Sequence, residues 1–250
     1  MTLQDIYDQL SYGELRDLFL AVAGPDALED MPLESYAKVL PSVQLGLTEL
    51  HKRFFIREGQ FYVELQTDQS HYKLTPKYAQ SNTKSSEPVK YIIDTIEPFT
   101  DNLFKVERVL ATYLETPTEL DLNERGNAAA VHTNYFDNLV VPTDSEKAPW
   151  LKETTQIDVR FRANHPKLDA NIANVAPTAV QIDLPPMYLE ALCLFVASRL
   201  HNPIGMTPEG AQQGSTYFQK FLASCDTLKR HNFEIDDFDE NTKLYERGFC

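Results

Sequence analysis

The segment running from Leu184 to Arg230 constrains this chain more than any other. Pro185 and Pro186 stop whatever precedes them, and Pro186 suits the first position of a helix. Residues 187–200, MYLEALCLFVASRL, are apolar almost all round, interrupted only by Glu190, Ser198 and Arg199. A helix that is apolar on every side has to be packed on every side. Asn202-Pro203-Ile204-Gly205 ends it, and Thr207-Pro208-Glu209 supplies an N-cap, a first-turn proline and an acidic first turn for a second helix. On that helix Ala211, Phe218, Phe221, Leu222, Cys225 and Leu228 fall on one face. The expectation is an antiparallel helical hairpin built for packing, with Leu192, Val196, Phe218 and Leu222 at its stability centre.

The N-terminal part also reads as helical. Ser11 is placed to cap a segment whose Leu15, Leu18, Phe19 and Val22 share a face and which ends at Gly24-Pro25. Residues 35–40 form a short turn, and Pro41 then opens a long helix carrying Val43, Leu47, Leu50 and Phe54. Lys52, Arg53 and Arg57 occupy its last turns and Gly59 closes it.

Beyond Gly59 the texture changes. Residues 61–66 read as a strand with 71–74 as its partner; 104–113, 139–141, 157–161 and 179–182 complete a set of short strands. Polar connections such as 116–127 and 164–177 separate them. Residues 80–88, which hold no large apolar side chain, have the composition of a mobile loop. The expected fold class is α+β. Residues 1–59 and 184–231 form a helical bundle, 60–183 an inserted irregular β-rich lobe, and 232–250 an extended C-terminal arm.

Composition narrows the function. At 250 residues the chain can bury a substantial core. Its net charge of −14 argues against gripping nucleic-acid phosphates, although an acidic wall suits a channel to which DNA must not stick. The three cysteines are too scattered for a disulfide framework, and Cys193 and Cys225 fall on the apolar helix faces. The first residues lack the basic-then-apolar pattern of a secretory signal, and the longest apolar run is too short to span a bilayer. Synthesis in a reducing cytoplasm and no membrane association follow as expectations.

No chemistry-bearing motif stands out. None of the nine glycines builds a phosphate-cradling loop, and no GxSxG elbow is present. The six histidines, His51, His71, His132, His165, His201 and His231, lack partners at metal-ligand spacing, so no metal, cofactor or catalytic residue is expected. The densest acidic cluster, Glu234, Asp236, Asp237, Asp239 and Glu240, lacks the glycine and terminal glutamate of a calcium loop. It belongs to a tail in which six acids and two bases, Lys243 and Arg247, leave a net −4 for residues 232–250. Phe233, Ile235, Phe238, Leu244, Tyr245 and Phe249 are interleaved with these charges. Such a segment has the anchors to order in a partner's groove, or to pack back along its own bundle.

Two blocks of sequence resemble head-to-tail adaptor proteins of short-tailed bacteriophages. The first is Ser11-Tyr12-Gly13-Glu14-Leu15, then Leu45-Gly46-Leu47-Thr48-Glu49-Leu50-His51-Lys52-Arg53-Phe54 and Glu58-Gly59. The second is Asp183-Leu184-Pro185-Pro186, Glu190-Ala191-Leu192, Val196-Ala197-Ser198-Arg199-Leu200-His201-Asn202-Pro203 and Tyr217-Phe218. Val159-Arg160-Phe161-Arg162-Ala163-Asn164-His165-Pro166-Lys167-Leu168 is similar in the same way. The resemblance implies a non-enzymatic virion neck protein, made in the host cytoplasm and located in the virion. It implies a self-associated ring, commonly of twelve subunits, between the portal protein and a tail nozzle or tail tube protein. Double-stranded DNA passes through the lumen during packaging and ejection without sequence-specific binding. The C-terminal residues Phe233, Ile235, Phe238, Leu244, Tyr245 and Phe249 become the expected portal-docking set. A virion-associated hydrolase, or another neck or tail subunit such as a nozzle, is the alternative.

Overall fold

A computed structural model describes residues 1–13, 33–113, 116–168, 176–201 and 208–231. The fold is α+β, and the chain divides into two compact units, one of residues 1–56 with 167–250 and one of residues 57–166. Terminal helices make the first and two antiparallel sheets make the second.

In the helical unit, α1 spans Leu3–Tyr12 and buries Leu3, Ile6, Tyr7 and Leu10 along one stripe. Its start is a capping box: Asp5 N donates to Thr2 Oγ1 at 3.3 Å and Thr2 N donates to Asp5 Oδ2 at 2.8 Å. The expected cap at Ser11 is therefore wrong. Ser11 lies inside α1, its hydroxyl donating to the Tyr7 carbonyl at 2.6 Å, and the segment it was to cap lies outside the described residues. Helix α2 spans Leu33–Arg53 and runs straight through Pro41, so neither the turn at 35–40 nor the start at Pro41 holds. An interior proline forfeits one backbone bond and crowds the preceding turn. Burial of Val39, Leu40, Val43, Leu47 and Leu50 on either side of it offsets that cost. The helix ends on His51-Lys52-Arg53.

A single 3-10 turn, Pro186–Tyr188, leads into α3, Leu189–Leu200. Every residue from Ala191 through Ser198 is buried, as a helix apolar on all sides requires. Helix α4, Pro208–Arg230, buries Phe221, Cys225 and Leu228 against the same core, with Phe218 and Leu222 partly buried beside them. The rings of Phe195 and Phe221 meet edge to face at 5.2 Å, and Phe54 packs on Tyr188 at 5.0 Å. Helices α2 and α3 approach closely at Gly46, where a Cβ would lie 2.6 Å from Leu192 Cδ1. The N-cap proposed at Thr207 lies outside the described residues.

The strand expected at 179–182 is not formed, and the segment belongs with the helices. It is a 3-10 turn, Pro177–Ala179, followed by an isolated bridge between Thr2 and Gln181. Leu3 N donates to Val180 O at 2.9 Å and Ile182 N to Met1 O at 2.8 Å. Val180, Ile182 and Leu184 thereby enter the helical core.

In the β-rich unit the strands are β1 Glu58–Glu64, β2 His71–Lys73, β3 Ile92–Ile93, β4 Leu103–Tyr113, β5 Thr116–Glu119, β6 His132–Tyr135, β7 Asn138–Val140 and β8 Gln156–Ala163. They form a five-stranded sheet, β3-β1-β8-β4-β5, and a three-stranded sheet, β2-β7-β6, antiparallel throughout. The segment at 71–74 was expected beside 61–66, but β2 pairs with β7 instead, His71 opposite Val140. The stretch from 116 was expected to be a plain connection, but Thr116–Glu119 pairs with β4 as an edge strand.

Gly59 is the sharpest correction. It does not close a helix but lies in β1 directly opposite Phe161 of β8. The Phe161 ring covers it, so that a Cβ would sit 2.3 Å from Phe161 Cζ. Phe61 and Phe99 hold that ring at centroid distances of 5.2 and 5.8 Å. Glycine stands here because an aromatic ring occupies the space a side chain would take.

Candidate interaction surfaces

Three surfaces gather side chains that a partner could engage. The first is the end of the helical unit where α2 and α4 finish. Lys52 and Arg53 close α2, and Lys229 and Arg230 close α4. Each pair faces the negative end of its own helix dipole. The ends lie together: the Arg53 guanidinium stands 5.3 Å from the Phe221 ring centre, and Lys229 Nζ stands 5.9 Å from that of Phe54. Glu49 pairs with Lys52 at 3.0 Å and with Arg53 at 3.8 Å. Between them Cys225 is buried, and burial pushes its thiol up to about 11 although Arg53 and Lys229 pull the other way. That thiol is inert packing, as its place on the apolar face implied.

The second surface is an open cleft of about 740 Å³ in the β-rich unit. Tyr78 and Tyr91, stacked at 4.8 Å, line it together with Val89 and Tyr135. Tyr135 and Phe136, at the tip of the β6–β7 hairpin, are 73% and 68% exposed, which makes an aromatic tip beside an aromatic cleft.

Residues 80–88, of which Glu87 and Pro88 line the cleft, form no strand or helix, yet polar contacts tie them down. Asp94, buried at 4% exposure, accepts from the Ser81 hydroxyl, from Ser81 N at 3.0 Å and from Phe99 N at 2.8 Å. Burial pushes its carboxyl upward, but these three donors outweigh that and hold it below the ordinary aspartate range. Asn82 Nδ2 donates to Pro76 O at 2.9 Å and Ser85 Oγ to Lys77 O at 2.6 Å. The expectation of a mobile loop considered apolar anchors alone, whereas its anchors are polar.

The edges of the small sheet are sealed by side chains. The Tyr91 hydroxyl accepts from Lys73 N at 2.9 Å and donates to Lys73 O at 3.0 Å, occupying the outer edge of β2. Asn123, at φ 60°, donates through Nδ2 to Thr133 Oγ1 and accepts from Thr133 N at 2.8 Å on β6. Capped edges of this kind resist addition of a foreign strand.

The third surface is the polar face of the five-stranded sheet. Arg108 forms a two-pronged pair with Glu119 at 3.1 and 2.6 Å. Arg162 pairs with Glu107 at 3.1 Å, Arg160 with Asp158 at 3.3 Å, and Gln60 donates to Asp158 at 2.9 Å. Arg108–Glu119, Arg162–Glu107 and Gln60–Asp158 reach across neighbouring strands, whereas Arg160 and Asp158 lie on the same strand, β8.

The histidines are spread over both units. His51 Nδ1 lies 2.8 Å from Leu47 O, His165 Nδ1 lies 2.7 Å from Pro166 O, and the His201 ring stacks on Tyr217 at 5.0 Å. Among the described residues no group of three His, Cys, Asp or Glu side chains is placed to hold a metal ion. Nor is any described helix long and apolar enough to cross a membrane. The residues expected from sequence to dock on a portal, Phe233, Ile235, Phe238, Leu244, Tyr245 and Phe249, lie outside the described residues. No protein-family model matches this sequence, and no curated protein matches it either.

Proposed function

We propose that this chain is a structural head-to-tail adaptor of a bacteriophage virion. Copies form a ring between the portal and the tail, and the ring is a conduit for DNA. One observation carries the reading. The helical parts of the two sequence blocks that resemble such adaptors are separated by the whole β-rich unit, yet Gly46 of the first packs on Leu192 of the second in one core. The resemblance therefore falls on residues that depend on each other physically, which scattered chance similarity would not do. The net charge of −14 per copy adds support, because a ring of such copies presents an acidic wall to DNA.

On this reading the tail beyond His231 is the portal-docking arm. Many copies of the arm in one ring would strengthen portal attachment through avidity. Truncation after Arg230 should leave the thermal midpoint of the subunit nearly unchanged while abolishing its co-sedimentation with portal-bearing heads. An unfolded truncate, or one that still sediments with the heads, refutes the arm assignment.

A further inference from the structure

We infer that the open cleft of the β-rich unit is a binding site for a neutral saccharide, in which a pyranose ring lies against tyrosine while its hydroxyls meet amide, carboxylate and ammonium groups. The site belongs to the β-rich unit alone and stands or falls separately from the adaptor reading.

The three-stranded sheet builds one wall of the cleft. Lys73 of β2 lies directly opposite Asn138 of β7, and Asn138 lies opposite Tyr135 of β6, so the three side chains share one face of the sheet. His71 extends that wall, its Nδ1 3.5 Å from Asn138 Nδ2. Tyr78 and Tyr91 add a second aromatic element, their rings nearly parallel at 15°. Tyr72 meets Tyr91 edge to face at 5.2 Å, and the Tyr91 hydroxyl is fixed on the Lys73 backbone. The aromatic pair is thus set before a ligand arrives, which lowers the ordering cost of binding. Lys73, Glu87 and Asp137 also line the cleft, and among the described residues none of the three forms an ion pair.

Chemistry selects the occupant. An acyl chain or apolar small molecule needs a pocket that buries most of its surface, and this cleft is open. A peptide adding as a strand needs a free sheet edge, but Tyr91 seals the outer edge of β2 and Asn123 that of β6. A nucleic-acid strand needs a surplus of cations, whereas Lys73 here stands among Glu87 and Asp137 in a chain of net charge −14. The ligand that suits this lining has apolar faces, a rim of groups that both donate and accept, and no charge. A neutral sugar meets all three conditions. Its C–H faces pack on tyrosine rings, and its hydroxyls donate to Glu87 and Asp137 and accept from Lys73 and the Asn138 amide.

The test applies the full chain, biotinylated at its C-terminus and tetramerised on streptavidin, to a printed array of neutral and acidic glycans with single-stranded oligothymidylate spots. It should retain neutral glycans, and retain them in 1 M salt. The strongest neutral glycan is then titrated into the untetramerised chain by saturation-transfer NMR. Tyr135→Ala should weaken binding roughly tenfold. That ring is exposed, so the fold does not need it, and circular dichroism checks this. Phe136→Ala, next to it and similarly exposed but outside the cleft lining, should leave the affinity unchanged. Lys73→Ala should weaken binding as well. No neutral glycan retained above the Tyr135→Ala background, or equal effects of Tyr135→Ala and Phe136→Ala, overturns the site. Retention of acidic glycans or oligothymidylate alone, lost in 1 M salt, overturns the saccharide assignment in favour of an anion-binding surface.

Discussion

Gly59→Ala is the most incisive perturbation of the β-rich unit, because local sequence pattern alone makes this residue a helix stop. The added Cβ would lie 2.3, 2.6 and 2.9 Å from three ring carbons of Phe161. The ring has little room to move: it is 3% exposed and wedged between Phe61 and Phe99. Overpacking of this kind costs about 1–3 kcal/mol. Alanine in a strand recovers roughly 0.5–1 kcal/mol of backbone entropy relative to glycine. The net expectation is a loss of about 1–2 kcal/mol, a fall in urea midpoint of roughly 0.5–1 M at a slope of about 2 kcal/mol/M. The chain's one tryptophan, Trp150, is buried in this unit, so its fluorescence reports the right transition. In a Phe161→Leu background the clash is removed, and Gly59→Ala should become neutral or stabilising. The coupling between the two sites should be on the order of 1–3 kcal/mol. An unchanged midpoint, or the same loss in both backgrounds, would show that the ring does not lie over Gly59.

Other perturbations test other parts of the fold. Leu192→Ala should cost about 2–5 kcal/mol, read as a lower urea midpoint by circular dichroism, because its side chain is fully buried and packs against the Gly46 backbone. Pro41→Ala should stabilise the helical unit by roughly 1–3 kcal/mol, read as a higher urea midpoint by circular dichroism, since the site is exposed and alanine restores a helical N–H. Asp94→Ala should cost roughly 2–4 kcal/mol near neutral pH by orphaning three donors. Because the native carboxyl is held below its unfolded value near 3.8, that stabilisation is present above pH 4 and is lost as pH falls through the native value. The gap in Trp150-detected midpoint between wild type and Asp94→Ala should therefore close in acid.

The helical parts were legible where burial pattern and local grammar agree. Residues 187–200 are so uniformly apolar that only a surrounded helix fits, and α3 is surrounded. The alternation of β8, Ile157-Val159-Phe161 inward, marked a strand, and that strand is the centre of the large sheet. Failures came where a tertiary contact overrode local grammar. Pro41 and Gly59 are the usual stops, yet flanking core residues carry α2 through the proline and a cross-strand ring explains the glycine. Thr116–Glu119 has all four side chains exposed and so carries no burial pattern, and only its pairing with β4 makes it a strand. Val180, Ile182 and Leu184 alternate as a strand would, but the N-terminal residues claim them through an isolated bridge. For the candidate surfaces, the acidic tail was visible in sequence. The basic end of the helical unit was not, because Arg53 and Lys229 come together only when α2 and α4 pack.

The most direct measurement of the central claim is electron cryo-microscopy of the purified full chain mixed with a purified bacteriophage portal ring. The account predicts a closed ring of copies of this chain, twelve in number, stacked coaxially on the portal with an open lumen. A portal ring that stays bare at saturating protein, or a chain that binds as isolated copies without closing a ring, would contradict it.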